Sequence, residues 1–153
     1  MTCNPRNSLR SLARSWCCAF AVGLLFFLGC SKSGPVCYPV QGTVLLDCKP
    51  LAEAMIVLHP VGREMEGKQK PLGYSDQSGH FELTTWQSGD GAPPGVYSIT
   101  VELRALRRVG EEMIRDGRNL IPDRYAKPQA SQFRCEITEG TNELPPLSLS
   151  SRY

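Results

Sequence analysis

The stretch "GVYSITVEL", residues 95–103, alternates with a strict period of two. Tyr97, Ile99, Val101 and Leu103 fall on one side; Ser98, Thr100 and Glu102 fall on the other. Only an extended strand places every second side chain on one face, so the stretch predicts a strand with the first set inward and the second outward. The same period recurs along the chain. Val40, Gly42, Val44 and Leu46 share a face in "YPVQGTVLL" (38–46). Phe81 and Leu83 oppose His80, Glu82 and Thr84, and Phe133, Cys135 and Ile137 alternate in "FRCEIT" (133–138). "AMIVLHP" (54–60) is apolar on both faces, as a central strand would be. "LPPLSLS" (144–150) places Pro145 and Pro146 where only an edge strand tolerates them.

Turn residues separate these runs. "DCKPLA" follows the first strand, and Asp76-Gln77-Ser78-Gly79 reads as a tight hairpin turn with Gly79 at positive φ. "SGDGAPPG" combines Gly89, Gly91 and Gly95 with Pro93 and Pro94. It has no phosphate-loop lysine and leads into no helix, so it reads as a strand connection. Six or seven short strands with frequent turns predict an all-β, antiparallel seven-stranded sandwich. The long connection 104–130 is the exception. Val109 and Met113 lie one helical turn apart and Glu111 can meet Arg115, which predicts a short helix there.

The N-terminus follows a different rule. Its first fifteen residues carry Arg6, Arg10 and Arg14 and no acid, and an uncharged run extends from Trp16 to Gly29. A membrane-spanning helix needs roughly 20 apolar residues, and a signal-peptide core about 7–15. The run is of the second kind. Its end, Phe27-Leu28-Gly29-Cys30, resembles a bacterial lipobox, where signal peptidase II cuts between Gly29 and Cys30 and the cysteine carries the lipid. Phe27 departs from the usual leucine. The resemblance implies a signal peptide over 1–29, lipidation at Cys30, a tether over 30–37 and a domain over 38–150. Ser31 after the cysteine, rather than Asp, implies the outer membrane over the inner.

Cleavage would leave 124 of the 153 residues, enough for one modest domain. The three arginines leave with the signal, so the formal charge falls from +2 to −1. No basic patch with interleaved aromatics remains, and nucleic acid is not an expected partner. Of seven cysteines, Cys37, Cys48 and Cys135 stay unassigned in the mature chain. Cys37 and Cys48 flank the first strand, which if straight holds them about 30 Å apart. A disulfide needs Cα atoms within about 7 Å, so any single bond would join Cys135 to Cys37 or Cys48. Three unpaired thiols filling space are the alternative. No Cys/His spacing suggests zinc.

Four segments together resemble the carboxypeptidase regulatory-like, transthyretin-like β-sandwich domains. "VQGTVLLDCKPLAEAMIVLHPV" resembles their opening hairpin, "GYSDQSGHFELTT" their T-D-x-x-G-x-F segment and "GDGAPPGVYSITV" their G-A-x-x-G-x-Y segment. "LIPDRYAKPQASQFRCEITEGTNEL" resembles the late motifs in a group of small bacterial surface lipoproteins. Cys48 stands where the turn usually has Gly, and Ser75 where Thr is usual. The resemblance implies a transthyretin-like/immunoglobulin-like sandwich in an accessory or interaction module, without a cofactor.

Candidate chemistry is sparse. His59 precedes Pro60 at a strand end and His80 follows a turn glycine, with no local residue to orient either as a base. Transthyretin-like hydrolases end in Tyr-Arg-Gly-Ser; this chain ends "SLSSRY", with the order reversed and the glycine missing. Asp47, Asp76 and Asp90 occupy turns, but no Asp-x-Asp-x-Asp ladder for calcium exists. Trp86, expected outward near a loop, and Tyr125, in the long connection, are the candidate platform for a carbohydrate or small ligand; alternatively the 104–130 connection covers Trp86. The expected role is a non-enzymatic, membrane-anchored lipoprotein of the cell envelope with a structural or protein-interaction role; the alternative is an accessory module that binds a carbohydrate, such as an envelope polysaccharide, or a small ligand.

Overall fold

A computed structural model describes residues 35–62 and 69–152. Gly29, Cys30 and the rest of the predicted signal lie outside these residues. Within the unit Pro35–Tyr153 each alternating run forms a strand, and two sheets enclose the core.

In the first sheet β1 (Val40–Leu46) is central. Along one side it pairs antiparallel with β2 (Lys49–Pro50) and β5 (His80–Glu82). Along the other it pairs in parallel with β10 (Asn142–Glu143) and β11 (Leu147–Leu149). The second sheet has the order β4 (Leu72–Tyr74), β3 (Met55–Pro60), β6 (Gly95–Glu102), β9 (Arg134–Ile137), all antiparallel. The segments outnumber the seven expected strands because single lines of sheet are interrupted: Pro145-Pro146, for instance, separates β10 from β11. The parallel pairing of the C-terminal strands corrects the wholly antiparallel expectation.

The core lies between the sheets. Val40 and Val44 of β1 and Phe81 of β5 face Ile56 and Leu58 of β3, Tyr97, Ile99 and Val101 of β6 and Ile137 of β9, all buried. Gly42 has a packing role: a Cβ there would meet the Phe81 ring at 2.8 Å. The Tyr97 hydroxyl donates to the Pro93 carbonyl at 2.8 Å, so its burial leaves no polar group stranded. Ser98 and Thr100, expected outward on β6, are buried as well. His59 of β3 reaches across them, its Nε2 2.9 Å from the Thr100 hydroxyl. Short side chains on a central strand are shaded by longer neighbours.

The turns bear out their residue types. Asp76 Oδ1 accepts from the Ser78 amide and hydroxyl and from the His80 amide, at 2.7–3.0 Å. Gly79 sits at φ +77°, and a Cβ there would lie 2.5 Å from the Val44 carbonyl oxygen. The β1–β2 turn holds Asp47 and Cys48 at φ +50° and +64°, two left-handed residues in succession, the pattern of a type I′ turn.

The predicted helix within 104–130 is not there. Residues Arg107–Val109 (β7) and Glu112–Ile114 (β8) form a hairpin around Gly110. Two 3-10 turns follow, Asp123–Ala126 and Pro128–Ala130, and pack near β6. Val109 and Met113 are thus on two strands, and Glu111 is a turn residue.

Candidate functional site

Trp86 sits on the connection between β5 and β6 and is 42% exposed. The connection is held from within. The Asp90 carboxylate accepts from the Thr85 amide at 2.7 Å and from the Trp86 and Gln87 amides at 3.0 Å. The Thr84 hydroxyl accepts from the Gly89 amide, and the Thr85 hydroxyl donates to the Gly91 carbonyl. Gly91, at φ +81°, lies so close to Tyr38 that a Cβ would fall 1.8 Å from its carbonyl oxygen. Sequence reasoning recognised the glycines of this loop but not that Asp90 is its organiser, although an Asp three to five residues after the amides it accepts from is a recurrent turn device.

Beside this loop runs a shallow groove of about 360 Å³, lined by Tyr74, Asp76, His80, Glu82, Thr84 and Ser88 among others. Trp86 is not among the lining residues. Tyr74 is 60% exposed. The Ser78 hydroxyl above all, with the Ser78 and His80 amides, holds the Asp76 carboxyl below the usual carboxylate range, against the opposing effect of burial. An exposed tyrosine edge, two carboxylates and two hydroxyls can hold a polar, ring-containing ligand, but nothing there forms a nucleophile–base pair.

Tyr125 does not join this surface. It is 4% exposed, its ring stacks on Phe133 at 6.0 Å, and its hydroxyl accepts from the Ser150 amide at 2.9 Å. Arg124 lies over the ring, 4.7 Å from its centre, and donates to the Ser150 carbonyl. Tyr125 therefore ties the long connection to the C-terminal segment. The ligand platform expected from sequence loses Tyr125, while Trp86 keeps 42% of its surface exposed.

His59 is more constrained than the sequence suggested. Its Nδ1 lies 3.1 Å from Lys70 Nζ. An ammonium only donates, so Nδ1 accepts, and Nε2 must carry the proton and donate to Thr100. Burial and then the Lys70 charge depress its pKa, with Glu102 opposing. A ring already donating to Thr100 cannot take that hydroxyl's proton. His80 borders the groove with no acid bonded to its ring among the described residues.

Cys37, Cys48 and Cys135 are all free thiols, so no disulfide joins Cys135 to either of the others. They lie apart in the fold: Cys48 in the exposed β1–β2 turn, Cys37 ahead of β1, and Cys135 on β9 opposite Tyr97. Burial pushes the Cys135 thiol up to about 11. Burial, then the Asp90 charge, raises Cys37. Among the described residues no three His, Cys, Asp or Glu side chains cluster as a metal site. The turn aspartates considered for calcium accept from backbone amides, Asp90 through both oxygens (Thr85, Trp86 and Gln87), Asp47 (Ser151) and Asp76 (Ser78 and His80) through Oδ1. No helix of the described residues is long and apolar enough to cross a membrane.

No protein-family model matches the chain, and no curated protein matches it. Among solved structures it is similar to the major pilin subunit BcpA of Bacillus cereus (16% identity, TM-score 0.44, covering 77% of this chain and 31% of that one). It is similar also to a 9R-lipoxygenase from Cyanothece PCC8801 (15%, TM-score 0.43, 91% and 20%). A third is a DUF3823 family protein from Parabacteroides merdae (15%, TM-score 0.38, 75% and 46%). The chain spans less than half the length of each of these.

Proposed function

We propose that this chain is a lipid-anchored lipoprotein of a bacterial envelope whose β-sandwich has a structural or protein-interaction role and no enzyme activity. One observation carries the reading: an uncharged run of signal-core length ends in Leu28-Gly29-Cys30, ten residues ahead of β1. A thiol at that point is the acceptor for a diacylglyceryl group, and stable anchoring takes more than one acyl chain. The order of the V-x-G-x-V, D-x-x-G-x-F and G-x-Y motifs supports a carboxypeptidase regulatory-like, transthyretin-like domain as the anchored module. Ser31 favours the outer membrane. The test is expression of the full chain in a Gram-negative host with labelled palmitate, with and without globomycin. Label on the chain, its loss in Cys30→Ser, and accumulation of a larger precursor under globomycin are expected. An unlabelled chain of unchanged size under the drug would refute the anchor.

A second reading, a carbohydrate- or small-ligand-binding module, is favoured by the exposure of Trp86 on a loop that Asp90 holds rigid. Indole faces stack on sugar rings. A glycan array comparing the wild-type chain with Trp86→Ala decides it: binding lost in the variant supports the reading, and no binding by either protein ends it.

A further inference from the structure

The free edge of β9 is the feature with the most to explain. Among the described residues β6 is its only strand neighbour. The Ile99 amide donates to the Phe133 carbonyl, which fixes the register: residues 133, 135 and 137 turn their backbone groups toward β6. Arg134 and Glu136 therefore turn theirs away, and no described group pairs with them. In the two main sheets the other edges are occupied or blunted; the separate β7–β8 hairpin keeps an open edge on each strand. β4 exchanges amides with Thr84, β2 is two residues long and contains Pro50, and Pro145-Pro146 precedes β11. An open edge with unpaired amides is a template for another strand.

We infer that this edge pairs with β9 of a second copy, antiparallel, about a two-fold axis through Cys135. In that register Arg134 lies opposite Glu136 of the other copy, and Glu136 opposite its Arg134. Both residues of each pair direct their amides and carbonyls outward, which is what a hydrogen-bonded antiparallel pair requires. Four backbone hydrogen bonds and two opposite-charge pairs form. The ladder stops there, because Asn142 already caps the Thr138 amide and carbonyl. Arg134 and Glu136 are exposed and make no ion pair among the described residues. Charges on an edge strand usually repel a neighbouring edge. Opposite charges two residues apart do the reverse for a copy of the same strand, because the two-fold axis superposes plus on minus. The two four-stranded sheets become one continuous sheet of two copies. This pairing goes beyond the anchoring proposed above and stands whether or not Cys30 is lipidated.

The test is sedimentation of the full chain in mild detergent over a concentration series. The wild type is expected to dimerise. Arg134→Glu sets glutamates opposite glutamates, Glu136→Arg sets arginines opposite arginines, and each weakens the dimer about tenfold or more. The double exchange Arg134→Glu/Glu136→Arg restores it. Mixing the two single variants also restores it, as a heterodimer. Circular dichroism checks that all variants fold, which is expected of exposed positions. A wild type that stays monomeric throughout, or single variants that associate as strongly as the wild type, would overturn the inference.

Discussion

Replacing Cys48 by glycine should make the sandwich more stable, and the structure sets the size of the gain. Cys48 is held at φ +64° beside Asp47 at +50°. A β-carbon in the left-handed region crowds the following carbonyl and costs about 1–2 kcal/mol. Glycine removes that cost but returns roughly 0.4–1 kcal/mol through the greater freedom of the unfolded chain. The Cys48 side chain is exposed and its thiol is free, so no packing is lost. The net gain is about 0.5–1 kcal/mol, or ~2–5 °C in Tm for a domain of this size. Cys48→Ala is the control: it deletes the thiol but keeps the β-carbon, and should stay within about 0.5 kcal/mol of the wild type. Guanidinium unfolding under reducing conditions is the assay, with the midpoint expected to rise at constant slope for the glycine variant alone. A glycine variant no more stable than the wild type, or an alanine variant that equals it, would refute the argument from backbone strain.

Gly91→Ala should be severely destabilising, by about 2 kcal/mol or more, because it combines left-handed strain with collision against the Tyr38 carbonyl; an unchanged melting midpoint would contradict this. The Asp76 carboxyl is held low in the folded chain. Its contribution to stability is therefore full above the unfolded value of about 3.9 and is lost as pH falls through the lower folded value. Asp76→Asn should flatten the acid limb of a stability–pH profile, and superimposable limbs would count against it. Thiol alkylation followed by mass spectrometry at mildly alkaline pH should modify exposed Cys48 before Cys135, whose thiol burial lifts to about 11. Equal rates would show that β9 opens readily.

Strands were legible in the sequence wherever one face is buried and the other wet. β1, β5, β6 and β9 announce themselves by period two because burial selects every second residue. The hairpin β7–β8 is ambiguous in the sequence because Val109 and Met113 fit both a helical turn and two strands about a two-residue turn. Gly110 followed by Glu111 was the sign that favours the hairpin. The burial of Tyr125 is illegible for a different reason. It stands in a polar segment, and only its stacking on Phe133 and the Ser150 amide, residues from elsewhere in the chain, show that the segment is packed. The lysine that fixes His59's tautomer comes from another element, so it could not be read locally either. Parallel pairing of β10 and β11 with β1 has no local signature at all.

That pairing bears on the order in which the molecule can come together. The amide of Asn142 and the carbonyl of Pro39 that it meets are 103 residues apart in sequence. A chain delivered N-terminus first, from a ribosome or through a pore, presents β1 at the outset with one side unfilled. The strands that fill it arrive last. Contacts of such long sequence separation fold slowly, so the sandwich cannot close until its last few residues are free, and it stays threadable up to that point.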